Sequence, residues 1–134
     1  MNAINRIKLF LALSRTPHGI LDMATPAFVV LLYLGRFPSA DVIGIGLLTA
    51  FAGYTAIYAF NDIVDYQSDK EKYARPTASE AGYLDSLMIR HPMARGMLPL
   101  KDGLVWASGW SAVALIGAWL LNPVCALIFL LGAG

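Results

Sequence analysis

Three carboxylates and an amide arrive together in Asn61-Asp62-Ile63-Val64-Asp65-Tyr66-Gln67-Ser68-Asp69, directly after an apolar run that reads as a membrane span. If the helix of that run continues through the stretch, each four-residue step turns by about 40° and climbs ~6 Å, so Asn61, Asp65 and Asp69 rise along one face. Asp62 stays within roughly 100° of them by the same geometry. Carboxylates crowded beside hydrocarbon repel one another and need a cation to neutralise them. Oxygen donors with no Cys or His in the stretch favour Mg²⁺ over zinc or copper, and Mg²⁺ commonly shares itself with substrate phosphates. The same residues also suit a solvated helix end just past a membrane, which needs no ligand.

The spacing Asn-Asp-x-x-Asp-x-x-x-Asp after an apolar helix resembles the first aspartate-rich motif of the UbiA-type intramembrane prenyltransferases, and residues 61 to 69 match it at every fixed position. His91-Pro92-Met93-Ala94-Arg95-Gly96 is similar to the Arg-Pro-x-x-x-Gly segment that the family carries before its third helix, with His in place of the Arg and Arg90 and Arg95 flanking it. The likeness includes Arg15 ahead of the first helix and runs from about residue 10 to the C-terminus. It implies a Mg²⁺-dependent polyprenyl transferase. Asn61, Asp65 and Asp69 would hold metal on a polyprenyl diphosphate, Asp62 would be a supporting or alternative ligand, and Asp65 and Asp69 would be the catalytic pair. Arg95, Arg90, Arg75 and Arg15 would bind the diphosphate and neutralise it as it leaves. The acceptor is unidentified; the resemblance implies a range from aromatic acids and quinone precursors to haem, chlorophyll precursors and lipid phosphates.

The elements that must position these residues follow from composition and pattern. A chain of 134 residues with 57% hydrophobic and 14% charged side chains and a mean hydropathy of +0.60 is a membrane protein rather than an ordinary soluble domain. The predicted fold is all-α, a multi-span transmembrane helical bundle. The formal charge of +1 says nothing about nucleic acid, and with no basic stripe interleaved with aromatics no nucleic-acid partner is expected. The single cysteine, Cys125, excludes an internal disulfide and reads as a packed thiol.

Residues 1–18 set Arg6, Lys8 and Arg15 around Ile7, Leu9, Phe10, Leu11 and Leu13, the pattern of a basic amphipathic helix at a membrane surface. Spans are predicted at about 19–35, 42–60 and 103–121, with a partial span at 124–134 and a long polar loop at 66–102. Asp22 in the first span is either interfacial or cavity-facing. On the second, Gly46, Ala50 and Gly53 form a small-residue face for close helix approach. Phe51, Tyr54 and Tyr58 form a lane leading to the acidic cluster, which suits a prenyl tail or simple core packing. Within the loop, Tyr83, Leu84, Leu87 and Met88 mark a short amphipathic helix, either over a cavity mouth or docked on the membrane surface.

With the N-terminus inside, Arg36 alone of the 10 Lys and Arg residues lies outside, and the acidic motif faces the cytoplasm. A partial last span and the lack of a second four-residue acidic ladder after Asp69 lead to the expectation of a truncated bundle, three full spans plus part of a fourth. Such a chain would need a missing C-terminal half or a partner subunit before it could transfer a prenyl group. Two other classes compete. A cation transporter or channel component would use the carboxylates as an ion site, and a non-catalytic membrane scaffold would leave them merely solvated.

Overall fold

The structure is a computed structural model and describes residues 3–73 and 91–133. Among these residues there are seven helices and no strand: α1 (Ala3–Leu13), α2 (Thr16–Asp22), α3 (Ala24–Leu34), α4 (Ala40–Val64), α5 (Tyr66–Tyr73), α6 (Leu100–Leu121) and α7 (Pro123–Ala133). Three segments are long and apolar enough to cross a membrane: Thr16–Leu34, which combines α2 and α3, and the helices α4 and α6. The helix predicted around residues 83–88 lies outside the described residues.

Local chemistry accounts for the breaks. Pro26 has no N–H to give the Asp22 carbonyl four residues back, and its ring crowds that carbonyl, so the first span is interrupted at Met23. Gly35 ends α3 in the left-handed conformation, φ 61°, with its N–H on the Leu31 carbonyl at 2.9 Å. Asn122 leaves α6 with an extended backbone, and its side-chain oxygen accepts from the Val124 N–H at 2.9 Å. That bond caps α7, which opens on Pro123 at a position where proline is favoured.

The bundle is held by α4 against α6. Buried Ala52, Ala56 and Ala59 on α4 share the seam with Ala107, Ala114 and Ala118 on α6, and small side chains let the backbones approach. At Gly117 the approach is tightest, because an added Cβ would stand 2.1 Å from Thr49 Oγ1. The small-residue face expected at Gly46, Ala50 and Gly53 does other work. Gly46 has open space around its Cα, and with Ala50 it lines an apolar cavity of about 400 Å³ shared with α3. Gly53 faces the Phe129 ring of α7, which an added Cβ would meet at 3.8 Å.

α1 is docked as well as amphipathic. Leu9, Ala12 and Leu13 are buried, Phe10 stacks on Trp106 with ring centroids 4.7 Å apart, and Arg6 pairs with Asp102 at the start of α6 at 2.5 Å. The Trp106 indole N–H donates to the buried Ser14 hydroxyl at 2.8 Å. The core so formed gathers Leu13, Ala59, Met93, Leu98 and Ala107 at one end of the bundle. That end carries the acidic motif.

Candidate metal centre

α4 ends at Val64, Asp65 steps briefly out of helical pairing, and α5 resumes at Tyr66. The Asp65 N–H still reaches the Asn61 carbonyl at 2.9 Å and the Asp69 N–H reaches the Asp65 carbonyl at 2.8 Å, so the four-residue ladder persists in the backbone. Burial follows a different step. Asp62 and Asp69 are buried, whereas Asn61 and Asp65 are exposed. Seven residues make almost two full turns, so Asp62 and Asp69 lie within ~20° of one direction and turn together toward the core.

The third member comes from the turn before α6. Pro92 and Met93 are fully buried, and Met93 lies against Gly103, where an added Cβ would be 2.6 Å from its sulfur. The turn closes with the Met97 N–H on the Pro92 carbonyl at 2.9 Å and the Gly96 N–H on the Met93 carbonyl at 2.9 Å. His91 stands at the head of this anchored turn. Its Nδ1 is 2.8 Å from Asp62 Oδ1 and 2.8 Å from Asp69 Oδ2. Arg15 completes the group, its Nη2 3.8 Å from Asp62 Oδ1.

His91 (φ 49°) and Arg15 (φ 44°) are the non-glycine residues with positive φ among the described residues, and both contact Asp62. Such backbone conformations persist only where surrounding packing holds them, and they concentrate at functional sites. One ligand atom from each of Asp62, Asp69 and His91 falls within 4.8 Å of the others. A small divalent ion with ligands at ~2.1 Å holds neighbouring ligands ~3 Å apart and opposite ones ~4.2 Å apart, so the donor set has the dimensions of a metal centre.

The other expected site residues are distributed around this group. Arg95 is exposed on the turn that His91 heads, and Arg75 and Arg90 lie outside the described residues. The aromatic lane divides: Phe51 meets Trp110 of α6 edge-on at 5.4 Å, while Tyr54 and Tyr58 stack on each other at 6.4 Å. Tyr58 donates its hydroxyl to the carboxylate of Asp22, and Tyr54 packs over Gly19 of α2. Asp22 is therefore a partnered group between two spans. Sequence reading placed neither His91 among the acids nor Trp110 beside Phe51. The signal for His91 was its position at the head of a Pro-containing polar turn, where its type differs from the arginine of the resembled segment.

Comparison with protein families finds that the UbiA prenyltransferase family matches residues 23–134. Neither the curated proteins nor the solved structures contain a match to the chain.

Proposed function

The chain belongs to the UbiA prenyltransferase family, and from that premise we propose that it serves Mg²⁺-dependent transfer of a polyprenyl group from a prenyl diphosphate to an acceptor within the membrane. It is an integral membrane protein with three helices fit to cross. The observation that carries the reading is the burial of Asp62 and Asp69, within 2.8 Å of His91, at the polar end of an otherwise apolar bundle.

Asp62 and Asp69 would present carboxylate oxygens from the interior, and Asn61 and Asp65 would add an amide and a carboxylate oxygen from the exposed neighbouring face. Mg²⁺ bound there would neutralise the diphosphate and stabilise the charge it gains as the allylic C–O bond breaks. Arg15, with 38% of its side chain exposed, has room to turn a guanidinium edge from Asp62 to a diphosphate oxygen, a geometry arginine suits. Arg95, exposed on the turn that His91 heads, belongs with Arg75 and Arg90 to the same proposed set. The ring faces of Phe51, Tyr54 and Tyr58 would line the tail and favour positive charge on the allylic carbon. Tyr58 keeps its hydroxyl on Asp22, so only its ring is offered.

The distribution of lysine and arginine supports a cytoplasmic position for this end of α4, where Mg²⁺ and soluble diphosphates are found. In a Cys125→Ala background, Gln67→Cys should react with a membrane-impermeant maleimide only from the cytoplasmic side; reaction from outside alone would reverse the orientation.

The direct test is calorimetry on the purified chain in detergent with Mg²⁺ and a thiolo analogue of a prenyl diphosphate. Mg²⁺ should tighten binding of the analogue, and Asp62→Asn, Asp69→Asn or Asp65→Ala with Asp69→Ala should each weaken the Mg²⁺-dependent part by about tenfold or more. Equal affinity in all three variants and the parent would end this reading.

A further inference from the structure

We propose that His91 is a direct ligand of the divalent cation, so that this chain builds a mixed nitrogen and oxygen centre selecting Mn²⁺ or Co²⁺ more strongly than carboxylates alone would. The inference rests on the metal site proposed above and assigns it a ligand and a selectivity. Its basis is a shared atom. His91 Nδ1 lies 2.8 Å from a carboxylate oxygen of Asp62 and 2.8 Å from one of Asp69. A ring nitrogen carries at most one hydrogen, so it can serve both oxygens only by dividing a single, weakened bond between them. A cation among the three atoms satisfies all of them together, with the neutral imidazole nitrogen giving its lone pair. The observed 2.8 Å separations are close to the ~3 Å expected between adjacent ligands of one small ion.

The position is built to hold. The His91 side chain is 15% exposed, and the side chains of Asp62 and Asp69 are 3% and 8% exposed, so little water competes for the donors. Buried Pro92 and Met93 anchor the chain directly after it, and the Arg95 N–H closes on the His91 carbonyl at 3.2 Å. A ligand whose backbone is set by packing loses little freedom when it binds a metal. Imidazole nitrogen suits borderline ions better than Mg²⁺, which prefers oxygen and retains water. The rival arrangement keeps His91 as a hydrogen-bond donor to the carboxylates, outside the metal's ligands, and it predicts a different spectrum.

Mn²⁺ alone is the probe, added to the full chain in detergent and read by pulsed electron paramagnetic resonance. The expected result is modulation from a directly bonded imidazole nitrogen, which changes frequency when the protein carries histidine of the heavier nitrogen isotope. The chain has 2 histidines, His18 and His91, so the signal should persist in His18→Asn and vanish in His91→Gln. The preference for Mn²⁺ over Mg²⁺ should also fall by about tenfold in His91→Gln. Isotope labelling of His18→Asn tests the point even if the His91 variant does not fold. Bound Mn²⁺ without nitrogen coupling, coupling that persists in His91→Gln, or no Mn²⁺ binding would overturn the inference. If coupling is absent while Asp62→Asn still weakens analogue binding, the transferase reading survives and the His91 assignment fails. If coupling is present while the prenyl analogue does not bind, His91 remains a ligand and the transferase reading fails.

Discussion

The two halves of α4 are built by different rules. From Ala52 onward the helix buries Ala52, Thr55, Ala56, Ala59 and Asp62, and its end is enclosed by α1, α6 and the turn that carries His91. Its first half, Ala40 to Phe51, has no buried residue, and neither has its neighbour α3. Between them lies an apolar cavity lined by residues such as Ala27, Val42 and Leu47. Hydrocarbon solvates apolar side chains as well as protein does, so apart from the close approach of Thr49 to Gly117 the first half gains little from burial. At the other end Asp62 and Asp69 are buried away from solvent, and dense protein contacts supply their partners. Packing is concentrated where polarity must be held.

The contrast is best broken through the anchor beneath His91. Met93→Ala empties a fully buried site, so stability should fall by about 2–5 kcal/mol, and metal binding should weaken as His91 loses its footing. Leu47→Ala, at a position 47% exposed in the first half, should stay within about 0.5 kcal/mol. Unfolding in mixed micelles measures both, and similar losses at the two sites would erase the distinction.

The helix seam gives the next largest effect. Gly117→Ala drives a methyl into Thr49 and breaks the bond from Thr49 Oγ1 to the Ile45 carbonyl, now 2.7 Å; about 1–3 kcal/mol should be lost. Adding Thr49→Ala should restore most of it, whereas Gly46→Ala, with open space around it, should cost nothing measurable. A smaller effect is expected at the polar pair inside the spans. Tyr58→Phe removes the hydroxyl that Asp22 accepts from and should cost about 1 kcal/mol. Asp22→Asn, which can still accept that bond, should cost less than Tyr58→Phe if the hydrogen bond is the source of the effect, and unfolding of the two variants side by side checks it.

Much of the architecture was legible in the sequence because hydropathy and helix punctuation are local properties. The apolar runs, Pro26, Gly35 and Asn122-Pro123 mark where helices cross, break and stop without reference to any neighbour. The same holds for the family resemblance, carried by the contiguous residues 61–69. The limits appear where two faces of one helix share a periodicity. Gly46-Ala50-Gly53 and Ala52-Ala56-Ala59 both recur at four and three residues, and the seam fell on the second because α6 presents Ala107, Ala114 and Ala118 to it.

The acidic stretch shows the same division. Its sequence determines that Asn61, Asp62, Asp65 and Asp69 gather at one helix end, since 3.6 residues per turn permits little else. Whether the four-residue ladder or the seven-residue pair turns inward depends on what stands beside it. Tertiary structure chose Asp62 and Asp69, because the Leu13, Met93 and Leu98 core lies on their side of α4 and delivers His91 and Arg15 to them. Those partners come from segments remote in the chain, and only the packing of α1, α4 and α6 brings their charges within reach of one another.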